Sequence, residues 1–415
     1  MEISAYMEGL YGKARKAGMK LCAMSAAEKN AVLLGVAGLI EHDAERIVKA
    51  NAIDVDAARK EMTKSEIDRL LLTPERLKSI ASDVRAVASL RDPVGEEEGW
   101  IVPNGLSIRR VRVPFGVIGA IYENRPNVTI DIASLCLKSG NACILRGSAS
   151  AINSNRALLE AITPALSEAG LDGAALLVDT ADRAAVEHMM KARGKLDLLI
   201  PRGGAGLIQR TVEQSKVPVI ETGTGNCHVF VDESADLDMA ERIVLNAKCQ
   251  RPSVCNAEEK LLVHHSVADS FIPRIAKSLR ANGVEVRGCP LTLTILPDAK
   301  PATEDDWPRE YLDLIIAIKV VQDVDEAIAH INKYNSKHTE AIVTRSYENA
   351  ERFTRNIDAA AVMVNASTRF TDGGMFGFGA EVGISTQKLH ARGPMGLREL
   401  TTYKYVVQGN GHVRG

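Results

Sequence analysis

Through residues 1–92 apolar positions recur at helical spacing, with few β-branched runs. Ser25 followed by Glu28 predicts a capping box for a helix that runs to His42. The pattern continues over 51–61 and 64–90, and Thr73-Pro74 marks a helix start within it. At 100–113 the texture changes to alternation around Asn104-Gly105, a strong hairpin signal with one exposed face. Such an edge is either a plain surface hairpin or one that a partner subunit covers. From Gly116 the chain alternates apolar runs with helical stretches: strands 116–122, 142–145, 175–178, 196–200 and 217–220, and helices 128–137, 154–169, 183–192 and 205–214. Continuous apolar strands of this kind are covered on both faces, so the alternation predicts a doubly wound parallel sheet. Ligands of such sheets bind beyond the carboxyl ends of the strands.

A second α/β set begins near Asn226, with strands 228–231, 260–264, 314–320, 341–344 and 362–364 between helices 236–248, 267–281, 324–334 and 347–355. Residues 365–396 are Gly-rich and weakly periodic, as in a functional loop or disorder. A last strand, 401–408, is placed to pair with the earlier hairpin.

Composition narrows the function classes. With 415 residues the chain has room for two or three domains. A formal net charge of −2 and the lack of long basic runs exclude a general affinity for nucleic acid or anionic membrane. The apolar run 31–40 is too short to span a bilayer and is flanked by charge. The N-terminus shows no basic-then-apolar leader pattern. The seven cysteines never form a CxxC pair, which fits a reducing, cytoplasmic setting and supplies no zinc site. His264 and His265, read as neighbours on one strand, would face opposite ways and make a poor metal pair.

Chemistry concentrates in the connection after helix 236–248. Arg251, Pro252 and Ser253 break the helix, and Cys255 follows in a short link to strand 260–264. Positive charge from Lys248 and Arg251 would favour its thiolate, the nucleophilic form. The competing readings are an inert apolar filler and Cys249, six residues earlier, as the nucleophile. Three loops at strand ends add polar groups: 123–127, Arg202-Gly203-Gly204-Ala205-Gly206, and 221–226. The glycines of the second let backbone N–H groups approach an anion at a helix N-terminus.

The order Asn124, Arg146-Gly147-Ser148, Gly203-Gly204, Glu221-Thr222-Gly223, Cys255 resembles the aldehyde dehydrogenase superfamily. The stretches 113–129, 137–148, 218–229, CQRPSVCNA (249–257) and TDGGMFGFGAEVGISTQ (371–387) are similar, within it, to the branch of the gamma-glutamyl phosphate reductases. The resemblance covers essentially the whole chain. It implies an aldehyde-dehydrogenase-like α/β fold of two doubly wound open-sheet domains plus a small β oligomerisation flap. The expected division is 1–98 and 113–223 for NADPH binding, 224–397 for the catalytic cysteine, and 99–112 with 398–415 for the flap of a dimer or tetramer.

The activity implied is NADPH-dependent reduction of L-glutamyl 5-phosphate to L-glutamate 5-semialdehyde with release of phosphate, in proline biosynthesis. Cys255 would carry the acyl group as a thioester, with Asn124 and the Cys255 backbone N–H as oxyanion donors. Glu221 matches the superfamily's general base, and in a reaction without hydrolysis its role stays open between proton transfer and cofactor placement. Arg146, Gly147, Ser148, Gly203, Gly204 and Glu310 are the implied cofactor residues, Arg146 suiting a 2′-phosphate. Arg125, Arg251 and Arg369 are candidates for the substrate's anionic groups. Association with glutamate 5-kinase, which makes the unstable substrate, is a further possibility. Two other readings share these residues: an oxidising, hydrolytic NAD(P)-dependent aldehyde dehydrogenase, and a nucleotide-independent thiol acyltransferase.

Overall fold

The computed structural model describes residues 2–414, so the outer limits 1 and 415 of the expected division lie outside the described residues. The chain forms two compact units. One takes the chain up to Thr222, Gly377–Gly383 and the chain from Met395 on; the other is Gly223–Phe376 with Ile384–Pro394.

The first unit opens with helices Ile3–Ala23, Ala26–His42, Ala44–Ala58, Lys64–Leu70 and Pro74–Ser89. The capping box is present: Ser25 accepts from the Glu28 N–H, and Glu28 accepts from the Ser25 N–H at 2.8 Å. The stretch 64–90 holds two helices, and the second starts at Thr73-Pro74 as its sequence marks, with Thr73 as the N-cap. Pro74 at the first helical position lacks the N–H that a through-running helix needs. Four parallel strands follow, in the order Ala175–Leu177, Ala142–Arg146, Val117–Tyr122, Leu198–Arg202. The expected fifth strand at 217–220 is only a bridge between Leu199 and Val219, because Pro218 has no N–H to extend the ladder.

Strands Glu97–Ile101, Ser107–Pro114 and Thr401–Gln408 form a separate antiparallel sheet, with the middle strand paired to both others. Gly105 takes φ +90° at the tip of the hairpin, as its left-handed turn requires. Arg112 fastens the C-terminal strand, donating to Thr401 Oγ1 at 2.7 Å and to Tyr403 Oη at 2.6 Å.

The second unit is built on seven parallel strands in the order Lys300–Pro301, Glu285–Gly288, Ile315–Val321, Glu258–His264, Cys227–Val231, Thr339–Val343, Ala361–Val364. Period-two alternation feeds two cores. Val229, Val231, Leu261 and Val263 pack with helix His265–Ala281, while Phe230, Leu262 and Ile342 pack with Phe353 on the opposite face. His264 ends its strand and His265 opens the helix, so the rings do not face opposite ways; their centroids are 4.7 Å apart. Among the described residues there is no His, Cys, Asp and Glu group suited to a metal, and no helix long and apolar enough to cross a membrane.

One ion pair in this unit corrects a sequence expectation. Lys248 is fully buried and lies 3.1 Å from Glu259, so its charge is spent inside the sheet–helix layer instead of at Cys255. Burial also pushes the pKa of the adjacent Glu258 well up. Removing one partner of a buried pair strands the other charge. Lys248→Met is therefore expected to cost about 3–5 kcal/mol in urea unfolding. The double variant Lys248→Met/Glu259→Gln should recover most of that loss, and equal stability of the single variant and the parent would contradict the pairing.

Candidate functional site

In the second unit the helix Leu237–Cys249 is capped at its start by Asp236, which accepts from the Met239 N–H at 3.0 Å. It ends where Pro252 disfavours helical backbone at Arg251. A turn closed by Ala257 N–H to the Val254 carbonyl, 3.0 Å, then leads into strand Glu258–His264. Cys255 sits half-buried in this turn. A Cβ on Gly225 would coincide with the Cys255 carbonyl, so the two backbones pass in a contact that only glycine permits. Gly225 is held from its other side, donating its N–H to Glu310 Oε1 at 2.6 Å. The Cys227 thiol donates to the Cys255 carbonyl at 3.2 Å. Burial raises the pKa of Glu310, so its charged form depends on the donors around it.

Cys255 and Gly225 precede the adjacent parallel strands Glu258–His264 and Cys227–Val231. The thiol therefore lies at the amino ends of these strands, in the link between helix and strand where the sequence put it. Cys249, the rival nucleophile, closes the helix half-buried; burial and Glu258 push its pKa up, away from thiolate.

Positive charge near Cys255 comes from arginine. Arg369 donates from Nε to Gln250 Oε1 at 2.9 Å and from Nη1 to Asn256 Oδ1, and Asn256 Nδ2 donates to the Thr371 carbonyl at 2.9 Å. Burial and the neighbouring Arg251 pull its pKa down, while Asp372 and Cys255 pull it up. Arg251 itself is exposed. Beside them opens a cleft of about 400 Å³ lined by Asn246, Gln250, Arg369, Phe370, Asp372 and Met375. Sequence reasoning missed Asp372. The available signal was Asp-Gly-Gly, and Asp372 Oδ1 accepts from the N–H groups of Gly374 at 2.9 Å and Met375 at 3.1 Å.

In the first unit the polar loops do follow carboxyl ends of strands. Asn124, after Val117–Tyr122, has φ +22°. Its Oδ1 accepts from Ser148 Oγ at 2.8 Å and Ser150 Oγ at 2.5 Å, which fixes the amide with its N–H side turned away from them. Glu123 Oε2 accepts from the Gly204 N–H at 2.7 Å, so that donor at the start of helix Ala205–Gln214 already has an acceptor. A Cβ on Gly203 would stand 2.5 Å from the same oxygen. Gly147 has no room for a Cβ against Asn155 Nδ2.

Arg146 ends its strand buried, donating to the carbonyls of Gly147 at 2.6 Å and Ala181 at 3.3 Å. Its Nε is buried with no hydrogen-bond partner among the described residues, and burial and Arg183 lower its pKa. A buried cation beside a second cation, with a donor to spare, fits an anionic group of a nucleotide. Arg125 and Glu221 are half-buried. Glu221 precedes Thr222, which is tied to the Pro201 carbonyl at 3.0 Å. Thus Cys255, Glu310 and Arg369 gather in one unit, and Asn124, Arg146, Gly147, Ser148, Gly203 and Gly204 lie on strand-end loops of the other.

The model of the aldehyde dehydrogenase family matches residues 4–293 and 287–406. The chain is 59% identical over 406 residues to a gamma-glutamyl phosphate reductase of Carboxydothermus hydrogenoformans, covering 97% of this chain and 98% of the relative. It is 56% identical over 405 residues to that of Caldanaerobacter subterraneus subsp. tengcongensis, with the same shares covered. The crystal structure of gamma-glutamyl phosphate reductase from Thermotoga maritima superposes with a TM-score of 0.95 at 53% identity, covering 98% of this chain and 99% of that one. An acetylating aldehyde dehydrogenase of Geobacillus thermoglucosidasius, 16% identical with a TM-score of 0.73, shares the fold over 100% of this chain and 98% of its own. With its parallel open sheets, its small antiparallel sheet and these relatives, the chain belongs to the aldehyde dehydrogenase family and, within it, to the gamma-glutamyl phosphate reductases.

Proposed function

We propose that this enzyme reduces L-glutamyl 5-phosphate to L-glutamate 5-semialdehyde with NADPH, releasing phosphate, by way of a thioester on Cys255, in proline biosynthesis. The observation that carries the reading is a half-buried thiol on a braced turn, beside a cleft furnished with arginine. The relatives' names supply the substrate class.

The Cys255 thiolate attacks the acyl carbon of the substrate; the C–S bond forms and the bond to phosphate breaks. Arg369 and Arg251 favour both the thiolate and an anionic substrate. The Cys255 backbone N–H and the Asn124 amide N–H serve the oxyanion, and the grip of Ser148 and Ser150 on Asn124 Oδ1 keeps that amide from flipping. NADPH, when bound, supplies the hydride. Cys255 leaves as thiolate when the aldehyde is released, and Glu221 is assigned to proton transfer or cofactor placement. Arg146, with Gly147, Ser148, Gly203, Gly204 and Glu310, would hold the cofactor, and the unpartnered Arg146 Nε supports a 2′-phosphate.

On this reading 1–98 with 113–223 bind NADPH, 224–397 carry the thiol, and 99–112 with 398–415 join subunits of a dimer or tetramer in the cytoplasm. The exposed Ile101, Tyr405 and Val407 on the antiparallel sheet support the last assignment. The lability of acyl phosphates favours association with glutamate 5-kinase. Arg125 remains a candidate for the substrate's anionic groups.

In phosphate-dependent NADP reduction with glutamate semialdehyde, Cys255→Ala is expected to abolish turnover, whereas Cys249→Ala keeps most of it. The opposite ranking would sink the nucleophile assignment, and turnover with NAD but no phosphate would favour the oxidising, hydrolytic alternative. Loss of a charge-assisted contact is worth about 10–100-fold in binding. Arg146→Ala should accordingly raise the KM for NADPH by about that factor while moving the KM for NADH little; equal effects on both would remove the 2′-phosphate role.

A further inference from the structure

The cleft that Arg369 lines carries two opposite charges, and the steps at the acyl carbon give Asp372 no part. Arg369 is immobilised through Nε and Nη1 by Gln250 and Asn256, the latter adjacent to Cys255. Asp372 is fixed through Oδ1 by two backbone N–H groups of its own turn. Both side chains are set before any ligand arrives, the arrangement expected of a recognition subsite. Phe370 and Met375 supply apolar lining between the polar groups.

We propose that this cleft is the amino-acid end of the substrate site, with Asp372 holding the α-ammonium and Arg369 the α-carboxylate. The inference rests on the proposed substrate and deepens it. An acyl group on Cys255 Sγ lies three C–C bonds from its α-carbon, about 4 Å in reach. Arg369 lines the cleft and also donates to Asn256, the residue after Cys255, so an acyl chain tethered at Cys255 has the arginine of the cleft next to its anchor.

The chemistry of the substrate makes such a contact useful. A free α-amine of a glutamyl acyl phosphate or thioester is placed to attack its own acyl carbon. The N–C bond forms, the bond to phosphate or to Sγ breaks, a proton leaves nitrogen, and a five-membered lactam results. Well-oriented intramolecular attacks of this type have effective molarities of about 10⁵–10⁸ M. A carboxylate beside the nitrogen favours the ammonium form, whose lone pair is occupied. Anchoring that ammonium at Asp372 also holds it away from the acyl carbon. Asp372 is thus a specificity residue that protects the intermediate from ring closure.

The test compares phosphate-dependent NADP reduction by the full-length enzyme with glutamate 5-semialdehyde and with 5-oxopentanoate, which lacks the α-amine. The wild type is expected to favour the amino substrate in kcat/KM by about tenfold or more. In Asp372→Asn the ratio should fall to near one through loss on the amino substrate, and Arg369→Lys should weaken both substrates together. A ratio in Asp372→Asn that stays at the wild-type value, or a variant inactive toward both aldehydes, overturns the ammonium contact while leaving the proposed reaction standing. A wild type inactive toward both overturns the proposed reaction, and the contact with it.

Discussion

The contact on which the thiol's position depends is the crossing of two backbones, Gly225 against the carbonyl of Cys255. Nothing with a side chain fits at Gly225, and its own N–H is committed to Glu310. The Cys227 thiol closes the arrangement from the neighbouring strand. A half-buried cysteine in a turn would otherwise sample many positions. Here the turn is held at the amino ends of two central strands of a sheet buried on both faces, so the thiol inherits the rigidity of the core.

The electrostatics follow from the same placement. Residues just before a buried parallel sheet point either into it or away from it. Lys248 goes inward and is paired with Glu259, and burial, with Glu258 beside it, disfavours the thiolate of Cys249. Arg251 and Arg369 stay on the cleft side with Cys255. Two cysteines six residues apart thus receive different environments, and this separates them more than exposure does, since both are half-buried.

Much was legible along the chain, element by element. The alternation of apolar runs and helical stretches marked both parallel sheets, and Asn104-Gly105 marked the hairpin that Thr401–Gln408 joins. Thr73-Pro74 marked the start of a helix, and local chemistry explains a departure: Pro218 reduced an expected strand to a bridge. His264 and His265 fell on either side of a strand–helix boundary that periodicity does not locate.

By itself the sequence determined which residue types stand at the ends of which elements, because hydrophobic period, capping and turn chemistry act over a few residues. It also determined the family, through stretches long enough to be specific. Only the tertiary structure decided that Lys248 turns away from the thiol, that Gly225 and Glu310 brace Cys255, and that Asp372 shares a cleft with Arg369. Those outcomes depend on contacts between residues far apart in the chain. Backbone crossings and buried charge pairs are settled by packing, which no local pattern records.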